Sequence, residues 1–342
     1  MKALAITGYG DVSNAAIVDV ADRDPGPRDV VVDIKAAALN HLDLWTLSGA
    51  VGRDHDLPHP LGADGAGEVA RVGDEVRGIR PGDRVLVNPA ISCGHCEFCR
   101  AGEQSLCTTF KMLGEHLPGT IAEQVVVPQT NVYPIPQHLS FAQAAALGVT
   151  AITAYRMLFT KARLLPGEWV LITGIGGGLA LSLVQFARPI AGKIFVTSSS
   201  RDKLDRAIAL GADGGIDYKA EDVGKAVRAR TAKRGVDVVA DSAGGPSLDG
   251  ALRALRKGGR LVIAGATAGP RSDLDVRRLF WNQLQVIGST MGSDHDVSEM
   301  LRMVAGTKLE PIIDKTFAFA DAPQALAYLE RQQQFGKIVV EI

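Results

Sequence analysis

The four cysteines of this chain, Cys93, Cys96, Cys99 and Cys107, all fall in one window, SCGHCEFCRAGEQSLC. This spacing lets a single loop turn back on itself so that four thiolates converge tetrahedrally on one metal ion. Disulfides are the alternative use. The apolar run Ala3 to Ile6 is too short for an export signal, so a reducing, cytoplasmic compartment is expected, where thiols persist and bind metal. An iron–sulfur cluster would show a shorter final spacing with proline after the last cysteine, whereas Thr108 follows Cys107. Four thiolates close the coordination shell, so the expectation is one structural zinc ion with no catalytic role.

A second chemical signal is Gly174-Ile175-Gly176-Gly177-Gly178-Leu179-Ala180, which follows the apolar run Val170 to Thr173 and opens an apolar helical pattern. At a strand-to-helix turn, glycine lets the backbone approach a pyrophosphate, and the N–H groups and dipole of the helix N-terminus favour the anion. The strict GxGxxG spacing is not met, because Leu179 and Leu181 occupy the possible third-glycine positions. The flanking strand and helix carry the assignment. A site for NAD usually places Asp or Glu about 20 residues further on, accepting from the ribose 2′-OH. Here the chain reads Thr197-Ser198-Ser199-Ser200-Arg201-Asp202-Lys203. Ser198, Ser199 and Ser200 put hydroxyls where a carboxylate would repel a phosphate, and Arg201 and Lys203 supply cations for a 2′-phosphate. NADPH is therefore the expected cofactor. The plain alternative is that Ser199 and Asp202 form a capping box on the next helix.

These residues need elements to hold them, and the chain has the length for about two domains, 342 residues at about 150 per domain. With 37 basic against 38 acidic side chains there is no electrostatic footprint for nucleic acid. The longest apolar run, about 144 to 154, falls short of a membrane span. The first 130 or so residues carry short strand-like runs, Val30 to Ile34, Gly67 to Val72 and Arg84 to Asn88, punctuated by Gly-Asp and Pro-Gly turns. Pro134, Pro136 and Ser140 then precede a single helical run from Phe141 to Leu158, marking a junction. Beyond it strands at Trp169 to Thr173, Lys193 to Thr197, Val236 to Asp241, Arg260 to Ala264 and Gln285 to Gly288 alternate with amphipathic helices at about 179 to 190, 201 to 210, 222 to 233 and 247 to 255. That alternation predicts a doubly wound parallel sheet. The run Ile338 to Val340 reads as a strand that rejoins the first unit.

Assembled, these residues resemble the medium-chain dehydrogenase/reductase superfamily, which joins a GroES-like β domain to a Rossmann domain. The resemblance spans nearly the whole chain and rests on Leu39-Asn40-His41-Leu42-Asp43, on Leu61-Gly62-Ala63-Asp64-Gly65-Ala66-Gly67-Glu68-Val69, on Gly82-Asp83-Arg84-Val85, on the cysteine lobe and on the glycine turn. It implies an α/β fold with a GroES-like domain over residues 1–133, carrying the zinc lobe at 92–108 and completed by 293–342, and a Rossmann domain over 134–292. It further implies Thr153 and the backbone of Gly265, Ala266 and Thr267 near the nicotinamide, Tyr218 near the adenosine ribose, and a homodimer.

Zinc alcohol dehydrogenases resembling this chain carry a Cys where Asn40 stands, a His followed by Glu where Ala63 and Asp64 stand, and a second Cys near Val149. An open Cys2His zinc site is therefore not expected from these positions. Without a Lewis acid, the chemistry within reach is hydride delivery to an acceptor already activated by conjugation, a quinone or an α,β-unsaturated carbonyl. Asn40 and Asp43 resemble the Asn-x-x-Asp pattern of the quinone oxidoreductase branch, which makes Asn40 the candidate oxyanion donor and Asp43 its orienter. Two rivals stand beside this reading. One is a zinc alcohol dehydrogenase with displaced ligands drawn from His41, Asp43, Asp64, His55 and His59. The other is a non-catalytic NADPH-binding sensor.

Overall fold

The run DVVVDIKAAA forms strand β1 (Asp29–Ala38) because β-branched residues fit a pleated surface and its central positions are buried on both faces. A computed structural model describes residues 1–52 and 54–342 and divides into two units, Met1–Val149 with Ser293–Ile342, and Thr150–Gly292. In the first unit β1 leads into helix α1 (His41–Ser48), then β2 (Asp64–Val72), β3 (Arg84–Val87), β4 (Gln124–Pro128) and β5 (Val132–Pro134).

The single helix expected over Phe141 to Leu158 is in fact three pieces: α2 (Phe141–Ala145), α3 (Gly148–Tyr155) and a wider turn over Arg156–Lys161. Ser140 and Gln143 cap α2 reciprocally. The break before α3 has a long-range cause, because the Val149 N–H points at the Asp64 carboxylate and not at a helical carbonyl. Past Tyr155 the backbone widens, with the Ala162 N–H reaching the Met157 carbonyl five residues back. The boundary between units accordingly falls at residues 149/150 and not at 133/134. Helix α2 packs on β1 and β2 and so belongs to the first unit.

The second unit runs β6 (Trp169–Ile172), α4 (Gly178–Ala187), β7 (Lys193–Ser198), α5 (Arg201–Ala209), β8 (Gly214–Asp217), α6 (Val223–Arg230), β9 (Val236–Asp241), α7 (Ser247–Ala254), β10 (Leu255–Ile263), α8 (Val276–Trp281) and β11 (Gln285–Gly288). All five strand pairings are parallel, in the order β8-β7-β6-β9-β10-β11. The chain thus reverses direction across the sheet beside β6, and the ends of β6 and β9 frame the crevice where such sheets bind ligands. Two elements went unread in the sequence. Strand β8 is only four residues long and begins Gly-Gly, and α8 is six residues of mixed charge and aromatics.

The chain then returns to the first unit, where β12 (Ile313–Ala318) pairs parallel with β13 (Lys337–Glu341). The main sheet order is β5-β3-β2-β1-β13-β12, with β4 also paired to β1. Its core is aliphatic, including Val30, Val32, Ile34, Val69, Val85, Val125, Ile338 and Val340. Register at the end of β1 is decisive for the polar residues nearby. Ala38 lies opposite Asp64 on one side and Val339 on the other. The start of β2, the start of β13 and the residues just after β1 therefore meet at one place.

Candidate active site

At that meeting point four polar side chains are buried together: Asn40, Asp43, Asp64 and Lys337, none more than 7% exposed. The Lys337 ammonium donates three hydrogen bonds, to the Leu39 carbonyl at 2.8 Å, to Asn40 Oδ1 at 2.7 Å and to Asp64 Oδ2 at 2.8 Å. Asn40 Nδ2 donates to Asp64 Oδ2 at 2.9 Å and makes a long contact of 3.4 Å with the Ala38 carbonyl. The other oxygen, Asp64 Oδ1, accepts from the Val149 N–H at 2.6 Å, at the N-terminus of α3, where the helix dipole also favours a negative charge. The ion pair is thus compensated on every side, which a buried pair requires. Lysine has no acceptor and a carboxylate no donor, so this network fixes which way the Asn40 amide faces.

Asp43 stands in the position expected of an orienter, but it acts on backbone. Its Oδ2 accepts the Asn40 N–H at 2.7 Å and its Oδ1 the Gly62 N–H at 3.0 Å. It therefore starts α1 and pins the Gly62 turn, while the Asn40 side chain is held by Lys337 and Asp64. Burial pushes the Asp43 carboxyl up to about 7, and Asp64 adds to that. The backbone donor of Asn40, the Lys337 charge and the Gly62 donor oppose it.

The residues present do not fit a catalytic zinc ion. Ala63 and Val149 carry no donor side chains, both ends of the Asn40 amide are taken, and both Asp64 oxygens are hydrogen-bonded. A fixed ammonium already stands beside Asn40 and Asp64, so a second cation there would meet like charge. The displaced set is not assembled either: among the described residues, Cys93, Cys96, Cys99 and Cys107 form the one group of three or more side chains close enough to hold a metal. His55 instead hydrogen-bonds Tyr9 and the Glu115 carbonyl, and His41 packs edge-on against Trp45.

The cysteine lobe does fit zinc. Its four sulfur atoms lie within 4.8 Å of one another, with Cys93 Sγ and Cys99 Sγ 3.9 Å apart. Zn–S bonds of about 2.3 Å in a tetrahedron need sulfurs about 3.8 Å apart. Backbone N–H groups of Cys96 and Cys93 already point at Cys93 Sγ and Cys107 Sγ, both at 3.3 Å, as bonds to thiolates would.

In the second unit the glycine turn sits between β6 and α4 as expected. The Gly174 N–H and the Ile175 N–H are tied to Thr197, to its hydroxyl at 3.2 Å and its carbonyl at 2.8 Å. Gly176 has φ +118°, and a Cβ there would lie 2.7 Å from Lys203 Cδ and 3.2 Å from Lys203 Nζ. A Cβ on Gly177 would meet nothing within 4 Å. The turn thus leaves open space before the first N–H groups of α4, those of Gly178, Leu179 and Ala180, which have no intrahelical acceptor. This cradle fits a pyrophosphate.

Strand β7 ends at Ser198 with no carboxylate. Ser198 Oγ accepts the Ser200 N–H, and Ser200 Oγ accepts the Lys203 N–H, so Ser200, not Ser199, caps α5. Asp202 lies inside the first turn, 3.8 Å from Arg206, and takes no part in the cap. Arg201 pairs with Asp205 on the exposed face of α5, whereas Lys203 reaches the glycine turn. Tyr218 is half exposed, and its N–H donates to the Ser198 carbonyl. Thr153 is buried, its hydroxyl 3.8 Å from Met291 Sδ.

Gly265 packs so close to Ser242 that a Cβ would collide with the Ser242 carbonyl oxygen, and the Thr267 hydroxyl reaches the same carbonyl at 3.3 Å. The sequence reading missed two positions. Asp241, at the end of β9, accepts from the Thr173 hydroxyl and the Gly244 N–H and so shapes the crevice floor. Lys337 was the other, and its one sequence signal is a lysine placed directly before the apolar run Ile338-Val339-Val340.

Residues 26–137 match the alcohol dehydrogenase GroES-like domain, and residues 178–306 match the zinc-binding dehydrogenase domain. The chain therefore belongs to the medium-chain dehydrogenase/reductase superfamily and is an oxidoreductase. It is 32% identical to an NAD-dependent alcohol dehydrogenase of Saccharolobus solfataricus over 99% of each chain. An acryloyl-coenzyme A reductase of Metallosphaera sedula is 28% identical, again over 99% of each. A crystal structure of an NAD-dependent alcohol dehydrogenase superimposes with a TM-score of 0.95, at 41% identity and full coverage of both chains. No helix among the described residues is long and apolar enough to cross a membrane.

Proposed function

We infer that this chain is an NADPH-dependent reductase of α,β-unsaturated carbonyls or quinones that works without a catalytic metal. The observation carrying this reading is that Asn40, Ala63, Asp64 and Val149 offer no vacant ligand set, Asp64 and Asn40 being engaged by Lys337. The acryloyl-coenzyme A reductase among the relatives is named for reducing a conjugated acyl group. When bound, NADPH would supply the hydride that the acceptor's electron-poor carbon needs, negative charge would develop on the acceptor's conjugated oxygen, and water would supply the proton. Asn40 meets that developing charge. Of its two N–H bonds, the one spent on the 3.4 Å contact with Ala38 is the weaker, and it is the one a stronger acceptor takes. The glycine turn would hold the pyrophosphate, with Ser198, Ser199, Ser200 and Lys203 available to a 2′-phosphate and Arg201 reaching it only by leaving Asp205, while Tyr218 would serve the ribose and Thr153, Gly265, Ala266 and Thr267 the nicotinamide. One zinc ion in the four-cysteine lobe would crosslink its loop, and a reducing, cytoplasmic setting would keep those thiols free to bind it.

The names of two of these similar proteins favour a second reading, NAD-dependent oxidation of an alcohol. Purified protein assayed with NADPH and NADH against a quinone, an enone and an enoyl thioester, and with NAD and NADP against primary and secondary alcohols, separates the two. Turnover of conjugated acceptors with NADPH and none of alcohols is the expected result. The reverse pattern overturns the reading, and binding of NADPH with no turnover at all returns the chain to the sensor class.

We also propose a homodimer. Strand β11 is an open edge of the parallel sheet, and α8 exposes Val276, Phe280 and Trp281 at 65%, 63% and 73%, an apolar face that a second copy would cover. Sedimentation of wild type and Trp281→Glu tests it, the variant shifting toward monomer.

A further inference from the structure

We propose that Lys337 is a positioning residue for the reaction: its ammonium fixes the Asn40 amide as an oxyanion donor and offsets the buried negative charge of Asp64 beside it. The inference rests on the metal-free reading above and extends it to a residue at the far end of the chain. Lys337 Nζ is 2.7 Å from Asn40 Oδ1, and the same nitrogen is 2.8 Å from Asp64 Oδ2. The three partners form a closed triangle, since Asn40 Nδ2 lies 2.9 Å from Asp64 Oδ2. The triangle acts on the site in three ways.

First, the amide cannot flip. Turning it over would put an N–H against an ammonium and an oxygen against a carboxylate, two repulsions in a buried site. Second, an amide whose oxygen accepts from a cation is polarised, which makes its N–H groups stronger donors. Third, Asp64 alone would place a negative charge beside the developing oxyanion. With Lys337 paired to it, that charge is offset, and the remaining field of the cluster no longer opposes charge on the acceptor oxygen. Lys337 touches no acceptor itself, because its three N–H bonds are all committed within the protein. It acts through Asn40.

Removing Lys337 alone leaves Asp64 buried without its counter-ion, and Lys337→Met is expected to be unstable. The informative protein is the double variant Lys337→Gln with Asp64→Asn, which takes away both charges and keeps side chains of hydrogen-bonding type. Two readouts are used on the full-length holoprotein. In enone or quinone turnover the double variant is expected to lose at least tenfold in kcat with KM changed less than threefold, while NADPH affinity, followed by nucleotide fluorescence, stays the same. In the second readout 4-nitrophenol, whose phenolate mimics an enolate oxygen, is bound to protein saturated with NADP. The fraction bound as phenolate is then read from its absorbance. Wild type is expected to favour the phenolate, and the double variant to lose that preference at least tenfold.

A folded double variant with unchanged kcat and unchanged phenolate preference overturns the proposal. The two readouts also separate the two ideas. If no conjugated acceptor turns over in wild type but phenolate selectivity depends on the Lys337–Asp64 pair, the metal-free reductase assignment fails while the role of Lys337 stands. If turnover is present and phenolate selectivity is absent from wild type, the assignment stands and Lys337 is structural.

Discussion

The Val149 N–H donates to Asp64 Oδ1 at 2.6 Å, so the first turn of α3 is anchored on a buried carboxylate from β2. Gly148 makes this approach possible, because a Cβ at that residue would collide with the same oxygen. Gly148→Ala must therefore push the carboxylate away from Val149, disturbing the Lys337 pair with it. The expected cost is about 3 kcal/mol of stability, read from urea unfolding, with loss of activity larger than the stability loss explains. Activity and stability unchanged in this variant would mean the carboxylate is free to move.

Cofactor choice makes a separate prediction in the second unit. Ser198 ends β7, and Lys203 reaches across to Gly176. Placing a carboxylate at the strand end with Ser198→Asp is expected to weaken NADPH binding at least tenfold and to leave or improve NADH binding, since the carboxylate accepts from a ribose hydroxyl and repels a phosphate. Lys203→Ala is expected to weaken NADPH more than NADH. Titration calorimetry with both nucleotides checks this, and equal losses for the two would remove the 2′-phosphate from the argument.

How much of the molecule is legible in its sequence depends on the range of the interactions. The cysteine lobe occupies a single short window, and the glycine turn with its flanking strand and helix is another, so spacing and residue type were enough to read each. The same holds for the alternating strands and helices from Trp169 onward, where boundaries differ from expectation by a few residues. Asn40 and Asp43 were legible as a pair, but their partners were not. Lys337 is 297 residues from Asn40 and 273 from Asp64, and only the pairing of β13 with β1 brings them together. The break at Gly148 was hidden for the same reason, because its cause is a carboxylate 85 residues before Val149. Ser200 took the cap expected of Ser199 because β7 runs one residue longer than the apolar pattern suggests.

The zinc lobe carries its own test. Protein purified without added metal is expected to contain one zinc per chain, and Cys107→Ser to contain markedly less. Because a four-thiolate site folds with its metal, the variant and chelator-stripped wild type should both lose at least about 2 kcal/mol of stability and become open to proteolysis within residues 92–108. A second zinc of equal stoichiometry in wild type would contradict the reading of Asn40, Asp64 and Lys337 as a metal-free cluster.

Two buried groups in the first unit predict opposing pH dependences. His59 packs its ring 4.4 Å from that of His55, and its Nε2 is buried with no hydrogen-bond partner among the described residues. Burial above all, with the charges of His55, Arg23 and His116, lowers its pKa to about 4, against a partial offset from the Gly114 backbone. The unfolded chain then binds the proton more readily, so the stability due to neutral His59 is present above about 6.5 and lost as pH falls through about 4, at most about 3 kcal/mol. Asp43 behaves the other way. Its pKa is raised to about 7, so its contribution is full below about 3.8 and is lost as pH rises through about 7. Urea unfolding of His59→Gln and Asp43→Asn between pH 4 and 8 separates the two. His59→Gln should lose less stability than wild type on going from pH 6.5 to 4.5, and Asp43→Asn less on going from pH 5 to 7.5. Identical slopes in all three proteins would show that neither group changes its proton affinity on folding.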